Sequence, residues 1–131
     1  MISKYEKINS WNDAIACYDE ALKIGQEDRD AFGNKGNALR EMKKYDDAIE
    51  NLNAAIDLDP QWYWAFSIKF YTYQKNKKYD DAIEFSNLLL EKFPDKEIDT
   101  LDLLLDLYKE MDNANKVKEI KERIQKLKDL K

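Results

Sequence analysis

The sequence contains no histidine, one cysteine, two prolines and three glycines among its 131 residues. Without histidine the chain lacks the commonest general base near neutral pH, the usual catalytic triads and most zinc sites. The single cysteine, Cys17, cannot form an internal disulfide, so we expect a reducing compartment and a cytoplasmic protein. So few helix breakers indicate long helices rather than a β fold with many turns.

Long apolar runs and excess positive charge are also absent. No stretch approaches the roughly 18 apolar residues that a membrane span needs, and the first residues lack the apolar core of a signal peptide. The net charge of −5 disfavours nucleic acid as the main partner. With 44% hydrophobic and 37% charged residues the chain can form a core. We therefore expect a folded protein with neither a nucleic-acid nor a membrane partner.

A repeat of 34 residues organises the chain. The segment Lys-Lys-Tyr-Asp-Asp-Ala-Ile-Glu at residues 43–50 recurs letter for letter at residues 77–84, and Pro60 and Pro94 keep the same spacing. A related segment begins at Trp11. Eight consecutive identities do not arise by chance in so short a chain, and a period of this length is typical of stacked repeats.

Each unit is predicted to contain two helices. Asp59 and Pro60 indicate the start of a first helix, with the proline in the first helical position. The polar residues 75–78 indicate a turn, and Tyr79 opens the second helix, whose first-turn aspartates suit the helix dipole. Gly25 is predicted to end the equivalent second helix of the first unit.

Small residues indicate how the helices pair. Gly36 and Ala48 would let two helix backbones approach closely, and one pair cannot bury its apolar faces alone, so successive pairs must stack. In the third unit Phe70 replaces Gly36 while Ser86 replaces Leu52. We interpret this as an exchange of volume, because over-packing without relief costs about 1–3 kcal/mol.

Residues 31–39, 45–49, 55–56 and 57–60 together resemble one full tetratricopeptide repeat. The wording Gly-Asn-Lys-Gly-Asn-Ala-Leu at residues 33–39 is similar to archaeal members of that family. The resemblance implies an all-α fold, a right-handed solenoid of antiparallel helix hairpins with about three and a half repeats. It also implies a concave groove, lined by the first helix of each hairpin, that holds a peptide or a partner's helix.

On this basis the chain is one repeat domain, divided at residues 1–26, 27–60, 61–94 and 95–131. The first repeat is cut short, because only residues 1–9 stand where a full first helix belongs. In the fourth repeat Leu104, Lys116 and Arg123 replace the small residues, so we expect a capping hairpin.

The resemblance also predicts the binding groove. Its candidate residues are Asn34, Asn37, Trp64, Ile68, Tyr71 and Leu105, flanked in the fourth repeat by Leu101, Asp102 and Lys109. The alternative for Ile68, Leu101 and Leu105 is an ordinary core position. One family subtype grips a carboxylate with a basic clamp, but here the basic positions fall on Gly33, Trp64, Ile68 or Asp102. Because acidic side chains flank the groove, the predicted ligand is apolar with neutral or basic flanks.

The last sixteen residues, 116–131, contain seven basic and three acidic residues around an apolar stripe. The stripe comprises Val117, Ile120, Ile124 and Leu127. A nucleic-acid contact and a coiled-coil seam are alternatives, but the stripe spans under two heptads. We therefore favour a capping helix with solvated outer faces.

No residue pattern in the sequence indicates a catalytic or metal-binding site. Cys17 is interpreted as a packing residue, and the adjacent aspartates at 46–47 and 80–81 do not face one another on a helix. We predict no enzyme, no catalytic or metal site and no cofactor. The predicted function is a protein–protein interaction module. The alternative is a structural element that self-assembles, as a homodimer, through Ile15, Tyr18 and Leu22 of the truncated first repeat.

Overall fold

A computed structural model describes the backbone of residues 4–25 and 27–130 and the side chains of residues 9–25 and 27–130. These residues form seven α-helices, one short 3-10 helix and no strand, so the predicted all-α class is confirmed. The helices are α1 (Lys4–Ile24), α2 (Arg29–Glu41), α3 (Tyr45–Leu58), α4 (Tyr63–Lys75), α5 (Tyr79–Lys92), α6 (Glu97–Glu110) and α7 (Ala114–Asp129), with the 3-10 helix at Pro94–Lys96.

The chain divides into two compact units, Met1–Thr72 and Tyr73–Lys131. In the first unit α1 packs on α2 and α2 on α3. In the second unit α5 packs on α6 and α6 on α7. The boundary between the units falls within α4 and not at a predicted repeat limit, and the limits at residues 26, 60 and 94 remain predictions.

The turns inside the hairpins share one geometry. Three of the described residues have a left-handed backbone, with φ of 64°, 60° and 55°: Lys43, Lys77 and Asp112. At the first turn Lys43 N donates to Arg40 O, and Lys44 N donates to Leu39 O, both at 2.9 Å. This is the Schellman pattern, which satisfies the last carbonyls of the preceding helix. The same two bonds recur at the other two turns.

The fourth hairpin is one residue out of step with the 34-residue period. Helix α6 has 14 residues, whereas α2 and α4 have 13 each. After the turn, Val117 N donates to Asn113 O just as Ala82 N donates to Lys78 O. The equivalent of Ala82 is therefore Val117, and the assignment of Lys116 to that position was wrong.

The same shift moves the next small-residue position from Arg123 to Ile124. Ile124 is buried, as are Ala55 and Leu89 at the corresponding places. Arg123 is exposed and donates from Nη2 to Glu97 Oε1 at 2.6 Å. The fourth hairpin thus keeps apolar residues at its inner positions.

One predicted helix start was also wrong. Pro60 lies in a turn and α4 begins at Tyr63, because Asp59 Oδ1 accepts from Gln61 N at 3.1 Å and holds the chain outside the helix. Helix α1 is continuous from Lys4 to Ile24, so no turn separates residues 4–9 from the helix that follows. The predicted turn at 75–78, the helix start at Tyr79 and the helix end before Gly25 are confirmed.

The close approach at Gly36 is confirmed. A Cβ atom there would lie 2.7 Å from Leu52 Cγ and 3.2 Å from Ala48 O, and both of those residues are fully buried. Phe70 in the first unit and Ser86 in the second are also fully buried. The exchange of volume between these two remains a prediction.

The last helix has the features of a cap. Ile120 and Ile124 are buried on α7, which packs against α6, and Val117 and Leu127 are half-buried. The basic residues of α7 lie on its exposed faces. The apolar stripe is therefore used inside the second unit.

Candidate functional site

The candidate face of α2 carries two asparagines. Asn34 is exposed. Asn37 is half-buried, and its Oδ1 accepts from Arg40 Nε at 3.2 Å and from Arg40 Nη2 at 2.8 Å. Because Arg40 occupies the oxygen of Asn37, the amide NH₂ of Asn37 is the group that can donate to a ligand.

Two tryptophans follow in the same unit. The rings of Trp62 and Trp64 stack with centroids 4.9 Å apart and an interplanar angle of 30°. A Cβ on Gly33 would lie 2.7 Å from the Trp62 ring and 3.1 Å from the Trp64 ring. Gly33, which has no side chain, thus leaves space for the stacked tryptophans, and both tryptophans are half-buried.

Arg29 completes this cluster. Its guanidinium lies 4.3 Å from the centroid of the Trp62 ring and forms an ion pair with Asp59. A guanidinium over an indole face is a favourable cation–π contact. Trp62 precedes α4, so helical spacing does not set its position relative to Trp64.

The other α4 candidates differ in exposure. Ile68 is only 8% exposed, so it occupies the core position that was the alternative for it. Tyr71 is half-buried and meets Phe70 edge to face with centroids 6.1 Å apart. In the first unit, Asn34, Asn37, Trp64 and Tyr71 are therefore the candidates with accessible surface.

In the second unit, Leu105 is half-buried and Leu101 is fully buried on α6. Counted back from the hairpin turns, Leu105 corresponds to Phe70, and Asp106 corresponds to Tyr71. Asp106 is an exposed carboxylate that was not among the predicted groove residues, and its Oδ2 accepts from Gln74 Nε2 at 3.1 Å. The sequence signal for this one-residue shift is the polar pair Asp112–Asn113, which lies 35 rather than 34 residues after Lys77–Lys78.

Within residues 4–25 and 27–130, no three His, Cys, Asp or Glu side chains are grouped so as to hold a metal ion. No helix in this part of the chain is both long and apolar enough to cross a membrane. Cys17 is exposed, so its interpretation as a packing residue was wrong.

Comparisons with known proteins address the fold. Residues 30–61 match the family model of the tetratricopeptide repeat. A solved structure of the RS-1 ArsTM double mutant of MamA is 21% identical, with a TM-score of 0.71 over 92% of this chain and 67% of that one. The TPR2B domain of yeast Sti1, solved as a complex with pHsp70, is 24% identical, with a TM-score of 0.54 over 94% of this chain and 86% of that one.

No curated protein matches the chain. The matched repeat covers the segment in which the resemblance was strongest, and the two structural likenesses extend the fold over nearly the whole chain. Residues 30–61 therefore match one tetratricopeptide repeat, and the chain as a whole shares the helix-hairpin fold of these two solved structures.

Proposed function

We propose that this protein is an interaction module whose first-unit groove, formed by Asn34, Asn37, Trp64 and Tyr71, binds a segment of a partner protein. The observation that carries the proposal is the accessible aromatic surface of Trp64 next to Gly33 of α2, the helix that also carries the two accessible amide side chains. Tryptophan and tyrosine are the residues most often found at interface hot spots. The structure of Sti1 TPR2B with pHsp70 supports the proposal by likeness of fold.

The chemistry of the groove sets the preferred ligand. Asp30 and Glu41 are exposed at the two ends of the candidate face, and both are paired with arginines, Asp30 Oδ1 lying 3.4 Å from Arg29 Nε. Arg40 Nη2 lies 2.8 Å from Glu41 Oε1, and Arg29 is paired with Asp59. The ligand proposed for this groove is a segment with an apolar centre and neutral or basic flanks, because none of the four groove residues carries a positive charge that would hold an acidic tail.

The test is selection of peptides from a random library on the wild-type protein, followed by isothermal titration with the selected sequences. We expect Trp64→Ala and Asn37→Ala to weaken binding at least about tenfold, which corresponds to 1.4 kcal/mol. Asn51→Ala is the matched control, because Asn51 lies on α3 and its amide donates to Asp47 O at 2.9 Å. Equal losses in all three variants, or selection of acidic sequences, would contradict the proposal.

The self-assembly alternative rests on α1. Ile15, Tyr18 and Leu22 are half-buried there, and Ile24 is 90% exposed. Light scattering over a concentration series separates the two functions. A groove-binding monomer keeps a constant mass, whereas self-assembly through α1 raises the mass with concentration, and Tyr18→Asp would then restore the monomer.

A further inference from the structure

A pocket of about 430 Å³ opens on the second unit, where the end of α4 meets α5. It is lined by Tyr73, Asp81, Glu84, Phe85 and Leu88. Tyr73 and Phe85 meet edge to face, with centroids 5.9 Å apart and an interplanar angle of 67°. Leu88 is 47% exposed, and both carboxylates are exposed. The pocket thus combines an aromatic pair and an aliphatic wall with two negative charges.

The first unit has a pocket of similar volume one repeat earlier, at Leu39, Asp47, Glu50, Asn51 and Ala54 together with Phe32 and Lys35. The carboxylates of the two pockets correspond because the segments 43–50 and 77–84 are identical. The apolar walls differ, since Tyr73, Phe85 and Leu88 stand where the first pocket has Leu39, Asn51 and Ala54. The chain therefore supplies an internal control for the second pocket.

The two pockets also differ in charge. Lys35 lines the first pocket, and its Nζ lies 2.7 Å from Asp19 Oδ1. Its counterpart one repeat later, Lys69, donates to Asn53 Oδ1 at 2.7 Å and does not line the second pocket. Among the described residues, the lining of the second pocket contains two carboxylates and no cation.

We propose that the second pocket binds an arginine side chain carried by a partner polypeptide. Arginine suits it because a planar guanidinium can stack on the face of one ring of the Tyr73–Phe85 pair while donating to Asp81 and Glu84. The aliphatic stem of the arginine packs on Leu88. The proposal does not rest on the groove, because none of the five lining residues belongs to it.

The experiment is an NMR titration with the peptide acetyl-Leu-Arg-Leu-amide, followed at the Tyr73 and Phe85 rings and the Leu88 methyl groups. Acetyl-Leu-Gln-Leu-amide is the neutral comparison. We expect saturable shifts at these three residues with the arginine peptide and much weaker shifts with the glutamine peptide. The affinity should fall with added salt, because the carboxylates are exposed.

Two double variants separate specific binding from general attraction to an acidic protein. Asp81→Asn/Glu84→Gln should raise the dissociation constant for the arginine peptide at least about tenfold. Asp47→Asn/Glu50→Gln removes the same charges at the same helix positions of the first pocket and should change it less than about twofold. Phe85→Asn, which installs the residue of the first pocket, should also weaken binding.

The proposal is overturned if the glutamine peptide binds as tightly as the arginine peptide, or if the two double variants weaken binding equally. It is also overturned if millimolar arginine peptide shifts none of the three reporter residues. Because the double variants are matched in helix position and charge, a difference between them cannot come from a general loss of helix stability. Failure of this test leaves the groove proposal intact, since the groove is tested with other residues.

Discussion

At the scale of single residues, Tyr73 reports the charge around the second-unit pocket. Its pKa is raised above the ordinary value of 10.0, first by burial and then by the negative charges of Asp81 and Glu84. Each of these effects disfavours the phenolate. A raised folded-state pKa means that the contribution of Tyr73 to stability is complete below pH 10.0 and is lost as the pH rises through the folded-state pKa.

We expect Asp81→Asn/Glu84→Gln to lower the pKa of Tyr73 while leaving it above 10.0, because burial is the larger cause and remains. The measurement is a ¹³C NMR titration of the tyrosine ring carbons. Asp47→Asn/Glu50→Gln is the control and should leave the pKa of Tyr73 unchanged. An unchanged pKa in the first variant would mean that the two carboxylates do not act on the phenol.

Gly36 allows a second test at this scale. A methyl group at Gly36 would meet Leu52 and the carbonyl of Ala48, neither of which has room to move, since both are fully buried. Over-packing costs about 1–3 kcal/mol, whereas alanine gains at most about 1 kcal/mol of helix propensity. Gly36→Ala should therefore lower the free energy of unfolding by about 1–2 kcal/mol in urea titrations.

The control is Gly25→Ala. A Cβ there would have nothing within 4 Å, and the backbone of Gly25 is not left-handed. Alanine at such a position is neutral or stabilises by up to about 1 kcal/mol. If Gly36→Ala behaved like Gly25→Ala, the close approach of α2 and α3 would not limit the side chain at residue 36.

At the scale of elements, the hairpin turns carry backbone strain. Lys43 has a φ of 64°, a conformation that costs a residue with a Cβ about 1–2 kcal/mol. Glycine removes this cost but loses about 0.5–1 kcal/mol through its greater freedom in the unfolded chain. Lys43→Gly should therefore raise the free energy of unfolding by about 0.5–1 kcal/mol.

Lys44→Gly is the matched control for the turn. Lys44 has a φ of −94°, so glycine there relieves no strain and brings only the entropic loss. Chemical denaturation of both variants should give changes of opposite sign. Stabilisation in both would mean that the gain does not come from the left-handed backbone.

The helices themselves were largely predictable, because the repeated residues show where each hairpin turns. The identical segments 43–50 and 77–84 placed the hairpin turns and the starts of α3 and α5 correctly. The start of α4 was not predictable from Pro60, since the local contact of Asp59 with Gln61 delays the helix. The extra residue of α6 was not predicted, because few residues of the repeat recur after residue 95. Applying a constant period of 34 residues then misassigned Lys116 and Arg123.

The candidate site was predictable only in part, because exposure depends on packing partners as well as on helical spacing. Trp64 and Tyr71 keep accessible surface as expected, but Ile68 is nearly buried. Trp62 lies outside the helix, so spacing could not reveal its stacking on Trp64. The second-unit pocket was hidden for a similar reason, since its side chains come from two helices.

At the scale of the whole molecule, the positions of the tryptophans allow the two compact units to be followed separately. Trp11, Trp62 and Trp64 all lie within residues 1–72, so tryptophan fluorescence reports the first unit alone. Far-ultraviolet circular dichroism reports the helices of both units. The two signals can therefore show whether a change in one unit reaches the other.

Ile124→Ala is the variant for this comparison, because Ile124 is 7% exposed in the second unit. Removing a buried isoleucine side chain costs about 2–5 kcal/mol. Ile24→Ala is the matched control, since Ile24 is 90% exposed and its loss should change stability by less than about 0.5 kcal/mol.

In repeat proteins, stability is close to a sum of terms for each repeat and for contacts between neighbouring repeats. Ile124 is several helices away along the chain from the tryptophans, so Ile124→Ala should lower mainly the stability of the repeats next to it. We therefore expect Ile124→Ala to lower the urea midpoint seen by circular dichroism more than the midpoint seen by fluorescence. Equal shifts of both midpoints would instead mean that residues 1–131 unfold as one cooperative body.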